Sequence, residues 1–282
     1  MQTAVITGAS AGIGKASAVA LGKQGWRIIG VGRDPQRCED TQAELEAEGV
    51  TIDFLRADFD TMAEVRRVAG EIAKLTDRID VLVNNAGGVR DKRYATLDGL
   101  EATFAANHLA PFLLTRDLLP ILRGTAAVTP PGSVRVIAVS SSAHEYMPAM
   151  SFADLQFEEN FSAGAAYCQA KLANLLFTRE LARRHSGDGI IAQAMHPGII
   201  ASNFYNYGDA SMRSHLEIKG GNPPEHAART IAWMATSPEC GGKPGRYFHD
   251  CAEAEAQPQA HDDAAARQLW EASEGILEDL GI

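Results

Sequence analysis

The feature that most restricts this chain is a glycine turn set directly against its first apolar run. Ala4-Val5-Ile6-Thr7 reads as a short buried strand, Gly8-Ala9-Ser10-Ala11-Gly12-Ile13-Gly14 follows at once, and a helical pattern then begins. Glycines there let the backbone bend sharply and come close to a pyrophosphate, while N–H groups of the helix start face its charge. A lone glycine-rich turn can be an ordinary tight connection. Set between a strand and a helix, it has the context that dinucleotide binding requires. The spacing is G-x3-G-x-G rather than G-x-G-x-x-G. Gly8, Ser10, Ala11, Gly12, Ile13 and Gly14 are therefore candidate cofactor-binding residues.

The rest of the chain repeats the same rhythm. Short apolar runs at 4–7, 27–31, 51–56, 79–84, 133–140, 190–195 and 246–249 predict strands, and most carry Val, Ile or Leu consecutively, as strands covered on both faces do. Between them, patterns at 13–24, 35–48, 62–75, 97–122, 165–185 and 224–235 predict helices, with a last helix at 264–280. This alternation predicts an α/β chain: one Rossmann-type, doubly wound parallel sheet of about seven strands with helices on both faces. With no internal repeat and no low-complexity linker, residues 1–282 read as a single domain. Two stretches, 143–163 and 199–222, are too long for ordinary connections, and such loops are where substrate is usually met. In the second, Phe204, Tyr205, Tyr207 and Met212 suit an apolar pocket, an oligomer contact or plain loop packing equally well.

Composition narrows the function by exclusion. There are 36 acidic against 26 basic residues, a net charge of −10, which argues against a nucleic-acid partner. The four cysteines, Cys38, Cys168, Cys240 and Cys251, form no CxxC pair. No disulfide framework or zinc site follows, and the histidines lack metal-binding spacing. No apolar run is long enough for a membrane span, and the start has no signal-peptide pattern, so a cytoplasmic location is expected.

At the end of the second strand, Val31-Gly32-Arg33-Asp34 puts glycine where an acid would bind a free ribose 2′-hydroxyl, and Arg33 follows. A guanidinium can pair with a 2′-phosphate, which favours NADP, with NAD as the alternative if Arg33 is merely solvated and Asp34 serves the ribose. Tyr167-Cys168-Gln169-Ala170-Lys171 sets a phenol and an ammonium on one helical face. A free phenol has a pKa near ~10, and a cation beside it favours the phenolate. The pair could then pass a proton to or from a carbonyl or alcohol oxygen. Taken singly, Tyr-x3-Lys is more often surface packing. Ser140-Ser141-Ser142, Asn84-Asn85-Ala86-Gly87 and His196-Pro197-Gly198 all fall at the carboxyl edge of the sheet, where open α/β folds bind ligands, and jointly they outweigh that reading.

Together with Asn107, these motifs resemble the short-chain dehydrogenase/reductase family over residues 3–247. The runs Asn107-His108-Leu109-Ala110-Pro111 and Val139-Ser140-Ser141-Ser142-Ala143-His144 are similar to its retinol dehydrogenase and WW-domain oxidoreductase branch. The resemblance implies Tyr167 as proton donor or acceptor, Lys171 as its modulator and nicotinamide-ribose ligand, and Ser141 as the group orienting the substrate oxygen. It implies that Asn107 supports a proton-relay water and that Asp58 and Phe59 contact adenine. Asn85, Ala86 and Gly87 would line the adenosine ribose, and Pro197, Gly198, Ile200 and Ser202 would clasp the nicotinamide. A long insert separates Ser141 from Tyr167, so Ser140 and Ser142 stay open as alternatives. Tyr146 is set aside because Met150, not lysine, stands four residues on.

The expectation is an NADP-dependent oxidoreductase interconverting a carbonyl and an alcohol on a fairly apolar small molecule, with homo-oligomerisation left open. An NADP-binding sensor without turnover is one competitor, although such proteins tend to lose the tyrosine or lysine. A nucleotide-sugar epimerase-type enzyme is another, disfavoured by the glycine spacing.

Overall fold

The computed structural model describes residues 1–201 and 220–282. Its strands are β1 (Thr3–Thr7), β2 (Arg27–Gly32), β3 (Ile52–Arg56), β4 (Val81–Asn84), β5 (Val134–Val139), β6 (Ile190–His196), β7 (Tyr247–His249) and β8 (Ala252–Glu253). They form one sheet in the order β3-β2-β1-β4-β5-β6-β7-β8. Every pairing is parallel except β7 with β8. The chain thus leaves β1 in one direction through β2 and β3, then reverses across β1 to β4. The crevice opened by that reversal is where a doubly wound sheet binds its ligand.

The helices are α1 (Gly12–Gly22), α2 (Pro35–Ala47), α3 (Met62–Leu75), α4 (Ala102–Phe104), α5 (Ala110–Ala127), α6 (Ala163–Arg184), α7 (Pro224–Thr236) and α8 (Asp263–Asp279). Alternate strand residues feed two cores, as the two-residue period of a strand requires. Val5, Ile29, Leu82 and Val136 pack under α3, α5, α6 and α8. Ala4, Ile6, Ile28, Val83 and Ile137 pack under α1, α2 and α7. Every residue of β1, β4 and β5 is buried, which is why these strands read as unbroken apolar runs.

Three details depart from the sequence reading. The two-residue β8 adds an antiparallel edge strand to the seven expected. The helix expected over 97–122 starts later, because Gly99 takes a left-handed φ of 78° and the Glu101 carboxylate caps α4 by accepting from Thr103 N and Phe104 N. It also runs on to Ala127, through Pro120.

Between α4 and α5 the helix widens into a π-turn, Ala105–Leu109. Pro111 has no N–H to give the carbonyl four residues before it, and the Asn107 side chain takes the Thr103 carbonyl at 2.8 Å. Such widened turns recur at functional sites. Asn107 lies inside this one.

The long 143–163 stretch contains two short 3-10 turns, Ser142–Tyr146 and Phe152–Asp154. It is strapped from outside: Gln257 Nε2 donates to Met147 O at 3.3 Å, and Met150 N donates to Gln259 Oε1 at 2.6 Å. No helix among the described residues is long and apolar enough to cross a membrane.

Candidate active site

The crevice between β1 and β4 is closed at its base by one hydroxyl. Thr7 Oγ1 accepts from Asn85 N and Ala86 N, each at 2.9 Å, and donates to Val83 O at 3.3 Å. That uses both lone pairs and the single hydrogen of the group. The Asn85 amide adds a bond from Nδ2 to Thr7 O at 2.8 Å. The Asn85 side chain therefore ties the turn after β4 to the end of β1.

The glycine turn is shaped by the same contact. Gly8 and Gly12 hold φ of 69° and 52°, the left-handed region that glycine enters freely. A Cβ on Gly14 would lie 2.2 Å from Gly8 O and 2.7 Å from Asn85 Nδ2, so α1 packs on the turn with no room for a side chain. Over Gly12 a Cβ would meet nothing within 4 Å. That open space, above the start of α1, suits a pyrophosphate approaching backbone N–H groups.

At the end of β2, a side chain in place of glycine would have to displace two neighbours. A Cβ on Gly32 would lie 2.5 Å from Cys38 Sγ and 2.9 Å from Ser10 Oγ. Asp34 is occupied as the N-cap of α2, accepting from Arg37 N at 2.9 Å. Arg33 is exposed, and its carbonyl accepts from Arg56 Nε at 3.2 Å. Burial raises the Cys38 thiol pKa, against the opposing pull of its Ser10 hydrogen bond and of Arg56 and Arg37 nearby.

Asp58 Oδ1 accepts from Asp60 N at 3.1 Å, and Asp60 in turn pairs both carboxylate oxygens with Arg90 Nη2 at 2.9 Å. Phe59 is buried in the core cluster, while Asp58 is half-buried. At the end of β4, a Cβ on Gly87 would meet Asn107 Oδ1 at 2.4 Å and Lys171 Nζ at 3.7 Å. Three sequence-distant candidates, Gly87, Asn107 and Lys171, therefore meet at one point. The Asn107 amide brackets Gly88, accepting from its N at 3.2 Å and donating to its O at 2.7 Å.

Tyr167 and Lys171 lie one turn apart on α6, which starts at the Ser162 cap, and Lys171 Nζ stands 5.5 Å from the centre of the Tyr167 ring. Nζ donates to Val139 O at 3.1 Å. Burial pushes the Lys171 ammonium down to about 8. Tyr167 is half-buried.

The three serines separate by their partners. Ser140 Oγ donates to the Lys171 carbonyl at 2.7 Å and is buried, a clamp between β5 and α6. Ser142 N donates to His196 Nδ1 at 3.2 Å. Ser141 Oγ accepts from Ala143 N at 3.1 Å, which leaves its hydrogen and a second lone pair for a ligand. Tyr146 is 78% exposed.

At the far wall, Gly198 has φ 83° and its N donates to His196 Nδ1 at 3.4 Å. Ile200 is buried and forms an isolated parallel bridge with Asn222. Ser202 and the pocket candidates Phe204, Tyr205, Tyr207 and Met212 lie outside the described residues.

A family model described as short chain dehydrogenase matches residues 2–211. The chain belongs to this family. Among its relatives, human "Retinol dehydrogenase 14" is 36% identical, covering 98% of this chain and 86% of that protein. Mouse "Polyprenol dehydrogenase" is also 36% identical, over 98% and 83%. Of solved structures, a putative uncharacterized protein from Mycobacterium paratuberculosis matches with a TM-score of 0.77 at 28% identity, covering 99% and 94%. A Pseudomonas aeruginosa RhlG/NADP active-site complex matches with a TM-score of 0.71 at 27% identity, over 88% and 93%.

As a short-chain dehydrogenase, the chain is an NAD(P)-dependent oxidoreductase acting on CH–OH groups. Sequence reasoning assigned Thr7 and His144 no role, although each stands in a motif, and found no signal for Gln257. Only the long insert after Ser142 hinted that something else must hold the serine turn.

Proposed function

We propose that this short-chain dehydrogenase interconverts a carbonyl and an alcohol on an apolar small molecule with NADP, using Tyr167 as acid and base. The observation that carries the reading is the buried Lys171 ammonium one turn from the Tyr167 phenol. A cation out of water favours any nearby negative charge, so it makes the phenolate less costly and the phenol a better acid. The bound dinucleotide supplies or accepts the hydride.

In the reducing direction, the Tyr167 O–H bond breaks and its proton passes to the substrate oxygen. Ser141 Oγ, with its hydrogen free, holds that oxygen. Ser140 keeps α6 against β5, and Asn107 with Gly87 fixes the loop beside Lys171. In the oxidising direction the phenolate takes the alcohol proton. Gly8, Ser10, Ala11, Gly12, Ile13 and Gly14 would receive the pyrophosphate, and Arg33 the 2′-phosphate. Retinol and polyprenol, in the relatives' names, are long apolar alcohols, which supports a substrate of that character.

The test is purified protein with NADPH or NADH and a panel of aldehydes and ketones that includes retinal, followed at the cofactor absorbance. Turnover with NADPH preferred is expected. Tight NADPH binding with no turnover in either direction, by wild type and Tyr167→Phe alike, overturns the reading.

A further inference from the structure

His144 is wholly buried in the 3-10 turn that follows Ser141. Its Nδ1 lies 2.6 Å from the Ser141 carbonyl oxygen, and its Nε2 accepts from the backbone N–H of Gln257 at 3.2 Å. A backbone N–H can only donate, so Nε2 carries the lone pair and the hydrogen sits on Nδ1. A carbonyl can only accept, so the Ser141 bond selects the same tautomer. The ring stands edge-on to Tyr247 with centroids 5.2 Å apart, which fixes its plane.

We propose that His144 is a positioning residue: its Nδ1–H sets the peptide after Ser141, and so aims the serine hydroxyl at the substrate oxygen. The inference rests on the reading of Ser141 as the group that holds that oxygen.

The neighbours show why a separate device is needed. Ser140 is fixed by the sheet, through its N–H to Met195 O at 2.8 Å and its hydroxyl to Lys171 O. Ser142 is fixed by His196. Between them the chain leaves β5, and the Ser141 carbonyl is held by the His144 ring and, at 3.3 Å, by the His144 N–H. The backbone bond is long, so the shorter imidazole bond dominates. Because the imidazole is seated on Gln257, the aim of Ser141 depends on a segment more than a hundred positions away. The same residue also secures the insert through Met147 O.

Two replacements separate the ring nitrogens. His144→Asn places an amide near Nδ1 and can still donate to Ser141 O. His144→Gln reaches toward Nε2 and Gln257 but abandons the Ser141 carbonyl. With NADPH and the best aldehyde of the panel, His144→Gln should lower kcat by about tenfold or more, with KM for NADPH within about twofold of wild type. His144→Asn should keep kcat within about threefold.

Wild-type kcat in His144→Gln, or equal losses in both variants, overturns the proposal. Should His144→Gln not fold, Gln257→Pro tests the same tautomer control without touching the ring. Gln257 has φ −61°, which proline adopts, and only its N–H and side chain are lost. A fall in kcat beyond that of Gln257→Ala is expected, and equality of the two counts against the proposal. Ser141→Ala separates this inference from the reading beneath it. If Ser141→Ala leaves kcat intact, the role of the serine fails. If it abolishes turnover while His144→Gln does not, the role of His144 alone fails.

Discussion

Lys171 Nζ reaches back along α6 to within 5.5 Å of the Tyr167 ring centre while donating to Val139 O at 3.1 Å. The ammonium is thus held between a helix and the end of β5, and burial pushes it down to about 8. Raising the pH through that value removes its charge, and with it the support for an acidic phenol. In carbonyl reduction the pair must also arrive protonated. Reduction of an aldehyde by NADPH should therefore decline as pH rises through about 8, and Tyr167→Phe should lose about a hundredfold or more in kcat. Rate profiles measured from neutral to alkaline pH check this; a rate that holds level far above the lysine's range would contradict it.

The glycine turn makes two demands that substitution can tell apart. Gly14→Ala places a Cβ 2.2 Å from Gly8 O, so the turn must move and both stability and NADPH affinity should fall. Gly12→Ala meets no atom within 4 Å but must hold φ 52°, a cost of about 1–2 kcal/mol. That variant should fold with a modestly lower melting temperature and still bind NADPH less well, because its methyl enters the space above α1. Circular dichroism melts with cofactor titration distinguish the two.

Cofactor preference should hinge on Arg33, with Gly32 resisting the obvious swap. Arg33→Ala should raise KM for NADPH about tenfold while leaving NADH nearly unchanged, as expected for loss of a charge-assisted bond. Gly32→Asp should weaken NADPH use without gaining NADH, since its Cβ would sit 2.5 Å from Cys38 Sγ. Paired KM measurements for the two cofactors check both. An Arg33→Ala enzyme with unaltered preference would remove the basis for assigning NADP.

Acid should weaken the fold through buried imidazoles. Burial pushes His108 down to about 3, beneath Phe104, Phe112 and Phe177, with Nε2 2.7 Å from Ser273 Oγ. His196 is pushed down to about 4, by burial first and by His249 and His144 second. In the unfolded chain each titrates near 6.5. Their neutral forms cost nothing above that value. Below it the unfolded state binds protons that the fold refuses, and each group removes about 1.4 kcal/mol per pH unit until its own folded pKa is reached. Denaturant midpoints should fall steadily between pH 6 and 4, and His108→Phe should fall less steeply. Ser273 Oγ keeps its bond to Leu269 O in that variant. Parallel slopes in the two proteins would show that His108 takes no part.

The order of layers was legible because it follows from local patterns. Unbroken apolar runs mark strands covered on both faces, a glycine turn after the first marks the phosphate end, and Tyr167 with Lys171 share a face by helical spacing alone. Elements whose cause lies elsewhere in the chain were not legible. The π-turn at Asn107 depends on Pro111 and on a side chain capturing Thr103 O, and β8 exists only because β7 offers it an edge.

Sequence by itself determined the kind of sheet, the glycine turn after β1 and the helix that sets Tyr167 and Lys171 on one face, since each is written in residues that are neighbours along the chain. Which serine is free to meet a ligand was decided only in three dimensions. Ser140, Ser141 and Ser142 are chemically identical, and what distinguishes them is a lysine carbonyl, an imidazole and a second imidazole brought from α6, the following turn and β6. The partners of Ser140 and Ser142, on α6 and β6, lie far along the chain and leave no local pattern, because packing brings them together after the strands and helices have formed.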